Sequence, residues 1–192
     1  MGESRSRDSY ISTLKSPQVI WITGLSGAGK TTISDELSLR LRASGHTVIR
    51  LDGDQLRSIL GKNEYGAENH NKNTRLDLAL RYAILCKTIA QPGVTVIIST
   101  ISLFHKVHKW NRENLPNYYE IYLNVPLELL KKRDPKGIYK KFDKGELTQV
   151  AGLDLPVEEP VNPSLRINVK PSTTIDEIIK TIMYNINGTI SM

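Results

Sequence analysis

The densest chemical pattern in the chain is Gly24-Leu25-Ser26-Gly27-Ala28-Gly29-Lys30-Thr31-Thr32. Its first eight residues satisfy G-x-x-x-x-G-K-[ST], the spacing of a phosphate-binding loop. Each residue type has a physical task. The glycines let the loop wrap so that backbone N–H groups point inward, and a helix starting there presents its positive end to phosphate. Lys30 is placed to reach the β- and γ-phosphates of a nucleotide, and the Thr31 hydroxyl to take a place on Mg²⁺. All nine residues, Gly24 to Thr32, therefore form the expected ATP site. The bland alternative is a glycine-rich turn, and the flanking sequence argues against it: an apolar strand-like run precedes the loop and an amphipathic helical pattern follows.

A second group is Asp52-Gly53-Asp54-Gln55-Leu56-Arg57, directly after another strand-like run. In a parallel α/β sheet the carboxyl ends of strands face the ligand crevice. Two carboxylates and a guanidinium there suit phosphoryl transfer. An aspartate can accept a hydroxyl proton and help hold hydrated Mg²⁺, and Arg57 can clamp an anion. Asp52 and Asp54, with Lys30 beside them, are both catalytic candidates, and the pattern alone does not say which is the base. The competing reading is a polar turn in which Asp54 caps a helix starting at Gln55.

Switch GTPases and motor ATPases also use this loop. Here the apolar run 94–98 ends in Ser99-Thr100 rather than in an acidic residue, and Asn71-Lys72-Asn73-Thr74 lacks the aspartate of a guanine-reading motif. Both absences point to a small-molecule kinase.

Positioning these residues requires alternating strands and helices. Near-continuous aliphatic runs predict strands over 19–23, 47–51, 94–99, 119–125 and 165–169. Such runs suit a parallel sheet with helices on both faces. Helical spacing appears over 32–43, 73–90, 127–133 and 174–183. Residues 134–163 have little periodicity but many Lys, Gly and Pro, as expected of a lid. The expected fold is α/β, a P-loop fold of about five parallel strands, with one domain over 18–185 between tails at 1–17 and 186–192.

The 192 residues, 39% hydrophobic and 24% charged, fit one ordinary globular domain. No apolar run approaches the ~20 residues a membrane-spanning helix needs, and no secretory leader is evident, so a cytoplasmic protein is expected. Gly2 and Ser6 match a myristoylation pattern and Asn187-Gly188-Thr189 a glycosylation sequon, each without a supporting second signal. Cys86 is the only cysteine and lies in an apolar helical stretch, which suits a buried thiol. The formal charge of +6 clusters beside the motifs, as ligands for a phosphorylated small molecule would; no nucleic-acid partner is expected. His105 and His108 lack a third ligand for zinc, and Trp110, Tyr118 and Tyr119 read as packing.

Together these residues resemble the adenylylsulfate kinase family, P-loop kinases that phosphorylate the ribose 3′-hydroxyl of adenylyl sulfate in sulfate assimilation. The resemblance runs from Val19 to Ile167. It rests on the phosphate loop, on the Asp52–Arg57 stretch, on Ile101-Ser102 and on Arg133-Asp134-Pro135-Lys136-Gly137-Ile138-Tyr139-Lys140-Lys141. Residues 145–160 look like the family's lid. The resemblance implies ATP and Mg²⁺ as cofactors, held at Lys30 and Thr31, and a catalytic base at Asp54, near Asp52. It also implies acceptor contacts from Asp54, Arg57, Asn73, Arg75, Ile101, Ser102, Lys136, Gly137 and Ile138, a lid carrying Arg133, Lys140 and Lys141, and a possible homodimer. For Lys140 and Lys141 a solvated basic surface is the competing reading.

The departures lie on the acceptor side. Where the family usually reads Asp-Arg-x-Glu-Asn-x-Arg-Arg, this chain has Asn69-His70-Asn71-Lys72-Asn73-Thr74-Arg75-Leu76. Thr100 stands where a phenylalanine usually stacks on the adenine, Leu103-Phe104-His105 replaces Pro-Tyr-Arg, and Tyr65-Gly66 replaces Gly-Phe. Tyr65 and Phe104 are the candidates to supply a ring from another direction. An intact ATP side beside a rebuilt acceptor side leaves two acceptors open: adenylyl sulfate, or another activated nucleotide such as cytidine diphosphoramidate in capsule modification.

Overall fold

The structure is a computed structural model, which describes residues 18–60 and 72–188. The N-terminal tail with the Gly2 pattern, Tyr65-Gly66, residues 69–71 and Thr189 lie outside the described residues.

Five strands form one parallel sheet in the order β2-β3-β1-β4-β5: β1 (Val19–Thr23), β2 (Val48–Asp52), β3 (Thr95–Thr100), β4 (Tyr118–Asn124) and β5 (Leu165–Asn168). Every residue of β1 and β3 is buried, as aliphatic runs covered on both faces must be. The two-residue strand period divides the core. Ile20 and Ile22 of β1 face one apolar cluster, with Leu37 of α1 (Lys30–Ala43) and Ile179 of α7 (Ile175–Gly188). Val19 and Trp21 face the other, with Tyr82 and Cys86 of α3 (Lys72–Ala90) and Val107 of α4 (His105–Asn114). The Cys86 thiol is fully buried, and burial pushes its pKa up to about 12.

The expected strands and the helices at 32–43, 73–90, 127–133 and 174–183 are all present, the third as α5 (Leu127–Arg133). Three differences have physical causes. α1 starts at Lys30, two residues before its expected start, because Lys30, Thr31 and Thr32 carry no apolar spacing from which the first turn could be read. α7 runs past the expected 183, since Ile186 still reaches the core at 3% exposure. Short helices α2 (Gly53–Leu60), α4 and α6 (Ile138–Asp143) form where no periodic run predicts one; α2 and α6 are capped by the nearby Asp52 and Asp134, and α4 by the distant Glu158. No helix among the described residues is long and apolar enough to cross a membrane.

Candidate active site

The phosphate loop joins β1 to α1. Gly24 packs against β4 so closely that a Cβ would lie 2.8 Å from the Leu123 carbonyl oxygen. Gly29, at φ 91°, takes the left-handed conformation that precedes α1. Lys30 Nζ donates to the Leu25 carbonyl at 2.8 Å, so the lysine arches back over its own loop. Burial lowers its pKa to about 8, the charge on Lys136 pushes the same way, and Asp54 and Asp52 oppose the shift. From the far side, Tyr139 of α6 donates its hydroxyl to the Ser26 carbonyl at 2.9 Å.

Asp52 ends β2 and is the best-connected side chain of the site. Its Oδ2 accepts hydroxyl bonds from Thr31 at 2.9 Å and from Ser99 at 3.0 Å, and its Oδ1 accepts the backbone N–H groups of Asp54 at 2.9 Å and Gln55 at 3.4 Å. Burial alone would raise its pKa; these four donors overcome that and hold it below the usual carboxylate value. The cap of α2 is thus Asp52, not Asp54, because the helix begins at Gly53. Asp54 is left free of that duty and forms an ion pair with Lys136, from the loop between α5 and α6.

The side of the cavity where acceptor contacts are expected is built by α2, α3 and the end of β3. Arg57 and Arg75 both line the cavity. One Arg75 guanidinium nitrogen donates to the Gln149 carbonyl at 2.9 Å, while its buried Nε has no hydrogen-bond partner. Burial, and then the positive charge of Arg57, lower the Arg75 pKa, a field suited to an incoming anion. Tyr82 donates to the Gly53 carbonyl at 3.0 Å, which fixes α3 to the start of α2. Thr100 and Ser102 share a hydroxyl–hydroxyl bond of 2.9 Å, and the Thr100 Oγ1 lies 2.8 Å from where a Cβ on Gly53 would stand. The Ile101 carbonyl accepts the Thr23 hydroxyl at 2.6 Å.

Ser26 to Thr32, Asp52, Asp54, Arg57, Arg75, Ile101, Ser102, Arg133, Lys136 and Ile138 all line one cavity of about 930 Å³, within the size range of ligand sites. Several expected residues are not on its wall. Gly24 and Leu25 sit behind the loop, Leu25 against Gly152, and Asn73 is exposed at the start of α3. Gly137, at φ 66°, makes the turn into α6. Lys140 and Lys141 lie on α6 away from the cavity, exposed.

Tyr82 and Ser99 line the wall too and were not singled out from the sequence, whereas Thr148, Gln149 and Val150 come from the stretch expected to be a lid. Phe104 lines the cavity but is mostly buried in the second core cluster. His108 is buried against the Ser102 carbonyl, 3.1 Å away, and burial lowers its pKa to about 4. Its neighbour His105 contacts the Glu159 carbonyl at 2.9 Å.

Comparison with known proteins identifies the family. A sequence profile described as adenylylsulphate kinase matches residues 16–168. A cytidine diphosphoramidate kinase of Campylobacter jejuni is 39% identical over 171 residues, covering 86% of this chain and 96% of its own. An adenylyl-sulfate kinase of Rippkaea orientalis is 36% identical over 162 residues, covering 84% and 87%. Among solved structures, the Mycobacterium tuberculosis APS kinase in complex with AMPPNP and APS superposes with a TM-score of 0.78 at 28% identity, covering 90% of this chain and 98% of that one.

Proposed function

The chain belongs to the adenylylsulphate kinase family, and on that premise we propose that it phosphorylates a ribose hydroxyl, the 3′-hydroxyl, of a cytidine diphosphoramidate-like nucleotide. Its class is that of its relatives, ATP-dependent kinases of nucleotide acceptors. The observation that carries the choice of acceptor is Thr100. Its side chain is small, 6% exposed, bonded to Ser102 and packed on Gly53. A stacking ring contributes about 1–3 kcal/mol per base, and this position supplies none. It supplies hydroxyls, which suit the polar edge of a smaller base. The 39% identity to a cytidine diphosphoramidate kinase supports the same reading.

In this mechanism the loop N–H groups and Lys30 bind the ATP phosphates. The Thr31 hydroxyl and the Asp52 carboxylate, 2.9 Å apart, form an all-oxygen donor set that would hold Mg²⁺. When bound, the ion neutralises charge on the transferring group. Arg57 and Arg75 hold the acceptor's anionic groups. Asp54 takes the hydroxyl proton as the phosphoryl group transfers in line, and Lys136 follows the charge as it moves from Asp54 to the phosphoryl oxygens.

The test is ATP-to-ADP turnover with cytidine diphosphoramidate and with adenylyl sulfate, supplied separately. A higher kcat/KM for the cytidine compound is expected; a higher value for adenylyl sulfate overturns the choice of acceptor. Adenylyl sulfate is the second reading, favoured by the 36% identity to adenylyl-sulfate kinases. Under it the protein serves sulfate assimilation.

A further inference from the structure

Glu158 lies just after the wall residues Leu155, Pro156 and Val157 and takes no part in the chemistry described above. Its backbone N–H donates to the Leu103 carbonyl at 3.0 Å. Its carboxylate does two further things. Oε2 accepts the backbone N–H of His105 at 2.8 Å, and Oε1 accepts Lys72 Nζ at 2.7 Å.

The first of these bonds supplies a missing cap. α4 begins at His105, and its own N-cap residue, Phe104, offers no side-chain bond. Glu158, 53 residues away in sequence, takes that place and puts a negative charge where the helix dipole favours one. The second bond reaches the first residue of α3. One turn further along that helix is Arg75, which is itself tied to the Gln149 carbonyl on the lid segment. One carboxylate and its own backbone N–H thus join the loop after β3, the start of α4 and the start of α3. These are the pieces that wall the acceptor side, and none belongs to the phosphate loop. The Lys72 bond and then the His105 N–H hold the Glu158 pKa below its ordinary value, so the carboxylate is ionised wherever the protein is folded near neutral pH. Lys72 stands where a glutamate is usual in the family motif, so the pair it makes with Glu158 belongs to the rebuilt acceptor side.

We infer that Glu158 is a positioning residue for acceptor binding: it sets the distance between Arg75 and the 101–104 loop. The inference rests on the reading of this cavity as a kinase site with its acceptor at Arg57 and Arg75. Small displacements of positioning groups cost as much as a hundredfold in rate.

The experiment compares wild type with Glu158→Ala, Glu158→Gln and Lys72→Ala. With the acceptor that wild type turns over, Glu158→Ala should raise the acceptor KM roughly tenfold or more while kcat changes less. The Kd for ATP, read by titration without acceptor, should stay within about twofold, inside the scatter expected for a distant site. Glu158→Gln keeps an oxygen for the His105 N–H and should recover part of the loss. Lys72→Ala should give a smaller loss than Glu158→Ala. An unchanged acceptor KM in Glu158→Ala overturns the inference, and so does an equal loss of ATP affinity, which would mean general damage. Amide hydrogen exchange separates this from failure of the acceptor assignment, because it needs no substrate. Exchange at His105 should accelerate in Glu158→Ala while the phosphate loop stays protected as in wild type. Unchanged exchange at His105 overturns the inference whatever the acceptor proves to be.

Discussion

Lys136 and Asp54, 82 residues apart in sequence, meet as an ion pair on the wall of the cavity, each about half exposed. The lid lysine therefore occupies the carboxylate that the mechanism assigns to the acceptor hydroxyl, and it must yield that oxygen when the acceptor arrives. The pairing also sets two cations, Lys136 and the buried Lys30, within each other's field.

Replacing Asp54 by Asn should lower kcat by about 10²- to 10⁴-fold, the usual contribution of a positioned general base. ATP should still bind, because the phosphates contact the loop rather than Asp54, but its loss at high pH should begin earlier, since the Asp54 charge helps keep Lys30 protonated. Steady-state kinetics beside nucleotide titration decide it, and full turnover by Asp54→Asn removes this residue from proton transfer.

ATP binding should weaken as pH rises above about 8. Lys30 in the free enzyme has its pKa lowered to about 8, mainly by burial. Phosphate binds the protonated form, so the Kd should climb by up to about tenfold for each pH unit beyond that point. In Lys136→Ala a like charge is gone, the Lys30 pKa rises, and the climb should begin at higher pH. Titrations between pH 7 and pH 10 measure both, these limits being chosen to bracket the ~8 midpoint. A flat profile in wild type would show that the Lys30 charge is not what holds the phosphates.

Asp52 should make stability acid-sensitive. Its folded pKa lies below the unfolded value, which is about 3.9. Its contribution is therefore complete above that value and lost as pH falls through the folded one. Urea midpoints followed down from neutral pH should fall less steeply with acid in Asp52→Asn than in wild type. At neutral pH, Asp52→Ala should cost about 1–2 kcal/mol through the lost α2 cap, with more from stranding the Thr31 and Ser99 hydroxyls.

Gly53→Ala should destabilise the protein by about 1–3 kcal/mol, the range for overpacking a tight contact. The new methyl would sit 2.8 Å from Thr100 Oγ1, 3.0 Å from Thr100 Cβ and 3.1 Å from the Ser99 carbonyl. A second change, Thr100→Ala, removes the first of these contacts only and should restore part of the loss. Thermal unfolding of the two variants and wild type reads the effect; equal midpoints for Gly53→Ala and wild type would mean the strand ends move apart freely.

The sheet and the phosphate loop were legible in the sequence because their signals are local. Aliphatic runs name buried parallel strands, and Gly24 to Thr31 names its own geometry. Helices α4 and α6 were not legible, because part of what anchors them is distant. α4 takes its cap from Glu158, and α6 is anchored through Tyr139 to the phosphate loop. The Asp52-Gly53-Asp54 stretch was half legible. Both carboxylates were picked out, but which one caps the helix depends on where the helix begins, and boundary positions are the weakest part of any pattern. Arg75 was found through its motif, while its partner Gln149 lies in a stretch with no period to read and contributes only a carbonyl.

The Tyr139 bond to Ser26 has a thermodynamic consequence. Ser26 lies in the loop to which the proposed mechanism assigns ATP, and Tyr139 lies three residues beyond Lys136, the partner of Asp54. Under that mechanism a nucleotide that moves the Ser26 carbonyl would move the helix that follows Lys136. A closed cycle of binding steps would make the influence mutual: whatever factor ATP applies to acceptor affinity, the acceptor must apply to ATP.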